Sequence, residues 1–288
     1  MAMRNTTRPT FPLAMQVMGE AGRRDLPRLA AQGLAVEIAD FFDVAMWQGD
    51  YRGTAREWAK ALHTFPFGKC LHGAFIDLSP GAQEATVVEF ARTRHRQSLE
   101  VAAIIGCDMM VVHSAFPPCD PMPWQLADLS QRLVDYFGAL AAEAQPHGIT
   151  IVVENIQDTR PEPLVALATA INAPNLGLSL DVGHAHLYSP LALDRWVWGT
   201  QPYLRHCHLH DNDGIHDRHW PLGEGNMTFR AFFEAASAVP QPPRVTVEVP
   251  HASGAWDTVR TLIDGGWYAP PEHSVVATEE IGVHNGID

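Results

Sequence analysis

Between His208 and Gly225 the chain reads His-Leu-His-Asp-Asn-Asp-Gly-Ile-His-Asp-Arg-His-Trp-Pro-Leu-Gly-Glu-Gly, a density of imidazoles and carboxylates that packing does not explain. Histidine and carboxylate together are the ligand set of zinc or manganese. Further residues of these types recur along the chain: His72 in Leu-His-Gly-Ala-Phe, His113 in Val-Val-His-Ser and Glu154 in Val-Val-Glu-Asn. Asp181 and His184 follow in Asp-Val-Gly-His, and Glu248 in Val-Glu-Val-Pro. Singly, each has an ordinary reading: a hydrogen-bonded strand-end histidine, a capping pair, a solvated turn. His206 and His210 share strand parity with His208, so pattern alone does not choose among the three. Cys207, of opposite parity, is expected to pack away from them. Gly223-Glu224-Gly225 reads as a turn.

What the residues share is position. β-rich runs are expected at Leu13–Met18, Leu34–Asp40, Lys69–Phe75, Met109–Ala115, Thr150–Ile156, Leu176–Asp181, Leu204–His210 and Arg244–Val249. Between them lie amphipathic patterns at Arg23–Gln32, Thr54–His63, Gln83–Ile105, Pro123–Pro146, Pro161–Ile171, Pro190–Thr200 and Thr228–Ser237, with a last one over Gly254–Asp264. Eight strands each followed by a helix is the count of a single (β/α)8 barrel, here over residues 1–268. Residues 269–288, with Pro270-Pro271, read as an extended or disordered arm. A doubly wound open sheet would want a Gly-rich phosphate turn after the first strand, and Met18-Gly19-Glu20-Ala21-Gly22 is not one. In a barrel, chemistry sits at the C-terminal ends of the strands. The third to eighth runs each end in, or carry near their ends, a metal-ligand residue type. Glu154 and Glu248 share strand faces with Val152 and Thr246, and a carboxylate so placed needs a partner such as a divalent cation.

Composition narrows the class. Fifteen histidines in 288 residues favour metal binding, and 46% apolar content supports a sizeable core. The net charge of −13 argues against a dedicated polyanion binder, so a small-molecule substrate is expected ahead of nucleic acid. No apolar run is long enough to span a bilayer, and the four cysteines lack CxxC spacing, which together point to a cytoplasmic protein with reduced thiols. Trp47 and Trp124 are candidate exposed aromatics beside the substrate loops.

These residues resemble the xylose isomerase-like TIM barrels, a superfamily of sugar isomerases and epimerases that also holds endonuclease IV. The ligand pattern is similar to that of endonuclease IV, with all nine positions of its three-zinc site filled over about Leu13 to Asp264. The resemblance selects His208 over its neighbours and implies three groupings: His72, His113 and Glu154; Glu154, Asp181, His208 and Glu248; and His184, Asp217 and His219. The DNA repair members carry Asp-Ser-Tyr after the first histidine and a His-Val-Ser turn after the first strand. This chain has Gly73-Ala74-Phe75 and Gln16-Val17-Met18-Gly19 instead. The first expectation is a hydrolase of a small-molecule phosphoester or amide with up to three divalent metals, zinc foremost and manganese as alternative. The second is a sugar or sugar-phosphate isomerase or epimerase using one metal, with Glu154 and Glu248 moving the proton and His184 touching substrate. Cleavage of abasic DNA ranks last.

Overall fold

The computed structural model describes residues 11–117, 122–250 and 254–271. Its eight strands are β1 (Leu13–Val17), β2 (Ala35–Ile38), β3 (Lys69–His72), β4 (Met109–His113), β5 (Thr150–Glu154), β6 (Leu176–Asp181), β7 (Leu204–Leu209) and β8 (Arg244–Val247). All are parallel and pair in chain order, and β8 closes on β1 through Leu13 and Val245, so the sheet is a closed barrel without edges. The helices are α1 (Gly19–Ala31), α2 (Val44–Gln48), α3 (Tyr51–Ala61), α4 (Ala85–Ile105), α5 (Pro123–Ala144), α6 (Glu162–Ile171), α7 (Val182–Tyr188), α8 (Leu193–Thr200), α9 (Arg230–Ala238) and α10 (Ala255–Asp264). Each expected strand is present, most of them one to three residues shorter than the sequence suggests. The short helices α2 and α7 lie in stretches where the sequence pattern suggests none. No helix among the described residues is long and apolar enough to cross a membrane.

Strand alternation divides the apolar residues in two. The main core lies between strands and helices and includes Val36, Leu71, Val112, Val153, Leu180, Cys207 and Val247. A much smaller cluster inside the barrel contains Cys70, Met109, Val111 and Val152. The interior also holds buried polar groups: Glu37, Ser179, His206 and Thr246. A polar barrel interior is stable only if its members satisfy one another, and these do.

One expectation about the aromatics needs correction. Trp47 is buried, packed on Phe41 and Tyr51 at ring distances of 5.8 and 5.5 Å, because α2 folds it inward; Trp124 is exposed. The chain around the start of the expected arm is tied to the barrel. Tyr268 donates its hydroxyl to Gln32 O at 2.6 Å, and Pro271 lies against Gly33. The remainder of the arm, 272–288, is outside the described residues. Cys70, Cys107 and Cys207 are buried free thiols.

Candidate metal centre

Parallel strands in register put their last inward residues side by side. His113 pairs with Glu154 across β4 and β5, and Asp181 with His208 across β6 and β7. Glu248 follows β8 directly, with its backbone N–H donating to Leu209 O. His184 stands in the first turn of α7, whose N-terminus Asp181 caps by accepting from His184 N at 2.7 Å. Asp217 and His219 come from the β7–α9 loop. That loop is organised by Asp211, whose carboxylate accepts from the backbone N–H of Asn212, Gly223 and Met227 at 2.9, 2.9 and 3.2 Å. A side chain at Gly225 would run into that carboxylate, which explains the glycine of the Leu-Gly-Glu-Gly turn.

All nine residues singled out in the sequence therefore meet at one end of the barrel. Ligand atoms of Glu154, Asp181, His208 and Glu248 lie within 4.8 Å of one another, as do those of His72, His113 and Glu154. His72 Nε2 and His113 Nε2 stand 3.8 and 3.7 Å from Glu154 Oε2. Asp217 Oδ2 lies 3.3 Å from His184 Nε2 and 3.0 Å from His219 Nε2.

The hydrogen bonds behind these residues test whether a cation fits. A backbone carbonyl only accepts, so a ring nitrogen bonded to one carries the proton. His72 Nδ1 donates to Gly73 O at 3.0 Å, His184 Nδ1 to Asn155 O at 3.0 Å and His219 Nδ1 to Glu248 O at 2.9 Å. In the neutral rings this leaves three Nε2 lone pairs facing carboxylate oxygens, an arrangement that needs a proton or a metal ion between them. Glu154 Oε2 is buried without a hydrogen-bond partner. The orphaned oxygen and these ring nitrogens together form a donor set suited to a divalent cation.

Electrostatics agree. Burial alone would raise the carboxyl pKa of Glu154 and Asp181, but His208 and His113 around the first, and His184 and His210 around the second, hold both below the usual range. Burial would likewise lower His184 and His208, yet the facing carboxylates, Asp181 for His184 and Glu248 for His208, raise both well above the ordinary value. For His219 burial is outweighed by Asp217 and Glu248, which push it to about 9. Burial dominates at His113, lowered to about 3, so that ring is neutral. Protons on imidazoles thus balance the acids, and a cation would displace them.

Sequence reasoning missed several members. Glu37, inward on β2 and fully buried, has Oε1 2.8 Å from His208 Nε2 and Oε2 3.1 Å from His206 Nε2. Burial would raise its pKa, but His208 and His206 hold it well below the usual range. Its signal was available: an acidic residue within Ala-Val-Glu-Ile, the same pattern as Glu154. Gln16 on β1 donates to Glu248 Oε1 at 2.8 Å. Asn155 joins β5 to β6 through paired bonds with the Asp181 backbone at 3.0 and 2.8 Å. His210 sits 3.3 Å from Asp181 and stacks on His219 with ring centroids 3.9 Å apart. In place of the tyrosine segment of the DNA repair members, Phe75 stacks on His113 at 4.3 Å.

Fold and donor clusters together define a (β/α)8 barrel that gathers carboxylates and imidazoles at the C-terminal ends of its strands. The chain belongs to the xylose isomerase-like TIM barrel family, whose profile matches residues 30–268. Among curated proteins it is similar to the uncharacterized protein MJ1311 of Methanocaldococcus jannaschii, 26% identical over 187 residues, 62% of this chain and 63% of that protein. The chain thus spans less than two thirds of that relative. Among solved structures it superposes on the TTHB071 protein from Thermus thermophilus, soaked with ZnCl2, with a TM-score of 0.71 at 24% identity, covering 88% of this chain and 96% of the other. The 3-keto-D-glucoside 4-epimerase YcjR from E. coli gives a TM-score of 0.69 at 17% identity, covering 88% and 100%.

Proposed function

We propose that the protein is a metal-dependent isomerase or epimerase of a sugar or similar polyhydroxy carbonyl compound. The observation that carries this reading is the buried convergence of Glu154, Asp181, His208 and Glu248 from the ends of four successive strands, with ligand atoms within 4.8 Å. Three carboxylates and one imidazole suit manganese or zinc. A divalent cation bound there would polarise a carbonyl and its neighbouring hydroxyl, acidifying the C–H between them. Glu154 and Glu248 reach the centre from β5 and β8, on either side of Asp181 and His208. One carboxylate then takes the proton from carbon and the other returns it. Gln16 holds Glu248 Oε1 in place, leaving Oε2 on the side of His208. The sequence ranks a hydrolase first; membership of this family and likeness to a named sugar epimerase favour the isomerase instead, because proton transfer needs only the four-donor cluster.

A second reading, hydrolysis at two or three metals, rests on the remaining donors. Glu154 Oε2 is orphaned between His72 and His113, and His184 and His219 converge on Asp217. The deciding experiment loads the protein with manganese or zinc and incubates it in D2O with ketoses and aldoses, and in parallel with small phosphoesters and amides. Metal-dependent deuterium entry at the carbon beside the carbonyl, abolished by chelation, supports the isomerase. Two or three metals per chain, with release of phosphate or amine and no C–H exchange, would establish the hydrolase.

A further inference from the structure

We propose that Glu37 is the positioning residue for His208, holding its ring in the tautomer that turns the Nδ1 lone pair toward Glu154, Asp181 and Glu248. This rests on the metal reading of the site and not on the reaction assigned to it.

His208 is reversed relative to the other site histidines. His72, His184 and His219 each anchor Nδ1 on a backbone carbonyl and present Nε2. His208 presents Nδ1, 3.1 Å from Glu154 Oε1, 3.3 Å from Glu248 Oε2 and 3.7 Å from Asp181 Oδ2. Its Nε2 points down into the barrel, where β7 is paired on both sides by β6 and β8, so the acceptor comes from a side chain. Glu37 Oε1 is that acceptor, at 2.8 Å. A charged acceptor fixes the proton on Nε2 and makes Nδ1 a better donor to a cation.

Glu37 is itself immobilised from across the barrel. Thr246 Oγ1 on β8 donates to its Oε2 at 3.2 Å, and His206 Nε2 on β7 lies 3.1 Å from the same oxygen. His206 in turn bonds Ser179 Oγ on β6 at 2.8 Å. Direct ligation is the competing role, since Glu37 lies within 4.8 Å of ligand atoms on His72, His208 and Glu248. Glu37 Oε1 faces His208 Nε2, whereas Glu154, Asp181 and Glu248 all face Nδ1 on the other side of the ring. That contrast places Glu37 beneath the ligands and not among them.

The test measures zinc affinity by competition with a chromophoric chelator, alongside circular dichroism of each variant. Glu37→Gln keeps the shape and one acceptor oxygen but removes the charge. It should fold and bind zinc about 10–100-fold more weakly. Thr246→Val, which removes the hydroxyl shared by Glu37 and His206 and leaves Glu37 itself in place, should weaken binding by a smaller factor, and it preserves the test if Glu37→Gln does not fold. Imidazole ¹⁵N spectra of the zinc-loaded wild type should show His208 protonated at Nε2 and metal-bound at Nδ1. Zinc affinity of both variants within twofold of wild type would overturn the proposal. So would an anomalous-scattering map with a Glu37 oxygen at bonding distance from the metal. Failure of the wild type itself to bind zinc would overturn the site reading along with it, which separates the two cases.

Discussion

Three histidines share one device: a backbone carbonyl accepts from Nδ1–H, and Nε2 is aimed at a carboxylate. Their division of labour makes a residue-level prediction. If the four-donor cluster performs proton transfer, Glu248 moves the proton, while Asp217 only bridges His184 and His219 at its rim. Glu248→Gln should lower C–H exchange by about 10²–10⁴-fold, the usual contribution of a positioned general base. Asp217→Ala should leave exchange within about tenfold of wild type. The check is deuterium wash-in by NMR at saturating manganese, and an Asp217→Ala loss as large as that of Glu248→Gln would put the rim group in the chemistry. Most of these residues were legible because each ends an apolar run in a metal-ligand type. Glu37 escaped although its run has the same form, since its role appears only when the closed barrel brings β2 opposite β7. The choice among His206, His208 and His210 was equally closed to parity, which places all three on one face; depth along the strand separates them.

Elements were easier to read than their contents. Apolar runs bounded by turn residues located every strand because a barrel strand must cover both its faces. The helices α2 and α7 are short, and tertiary neighbours stabilise them more than periodicity does, so they left no signal. Trp47 shows the same limit: its burial depends on Phe41 and Tyr51 and not on its own flanks. The long helix α4 carries a further consequence. His95, on its buried face, bonds Tyr136 of α5 at 2.8 Å, and burial lowers its pKa to about 4. Its folded value lies below the unfolded one of about 6.5, so the native state favours the neutral ring. The stability this contributes is present above about pH 6.5 and is lost as pH falls toward 4, by on the order of 3 kcal/mol at most. His95→Gln should be less stable than wild type at pH 7.5, and the gap should narrow at pH 4.5. Urea melts at the two pH values measure this, and a gap that is constant or widens on acidification would contradict the assignment.

At the scale of the whole molecule, Glu154, Asp181, His208 and Glu248 come from the ends of β5, β6, β7 and β8, so one bound cation at that cluster would tie four strand ends together. Without it, the buried acids Glu37, Glu154 and Asp181 rely on charged imidazoles for balance. A ligand that binds only the native state stabilises it by RT ln(1 + [L]/Kd), about 4 kcal/mol at a thousandfold excess over Kd. In a domain of this size each kcal/mol moves Tm by about 2–4 °C. Chelation should therefore lower Tm by roughly 10 °C, with recovery when manganese or zinc is restored. Asp181→Asn should abolish the metal-dependent part of that shift, because Asp181 is a donor to the four-residue cluster. Its chelated Tm should also fall below that of chelated wild type: asparagine keeps one oxygen for the α7 cap but leaves the charged ring of His184 without its buried acid partner. Calorimetry on both proteins, with chelator and with added metal, reads the effect directly. A wild-type Tm indifferent to both additions would mean that the acids are balanced by protons alone and that the barrel end does not hold a metal.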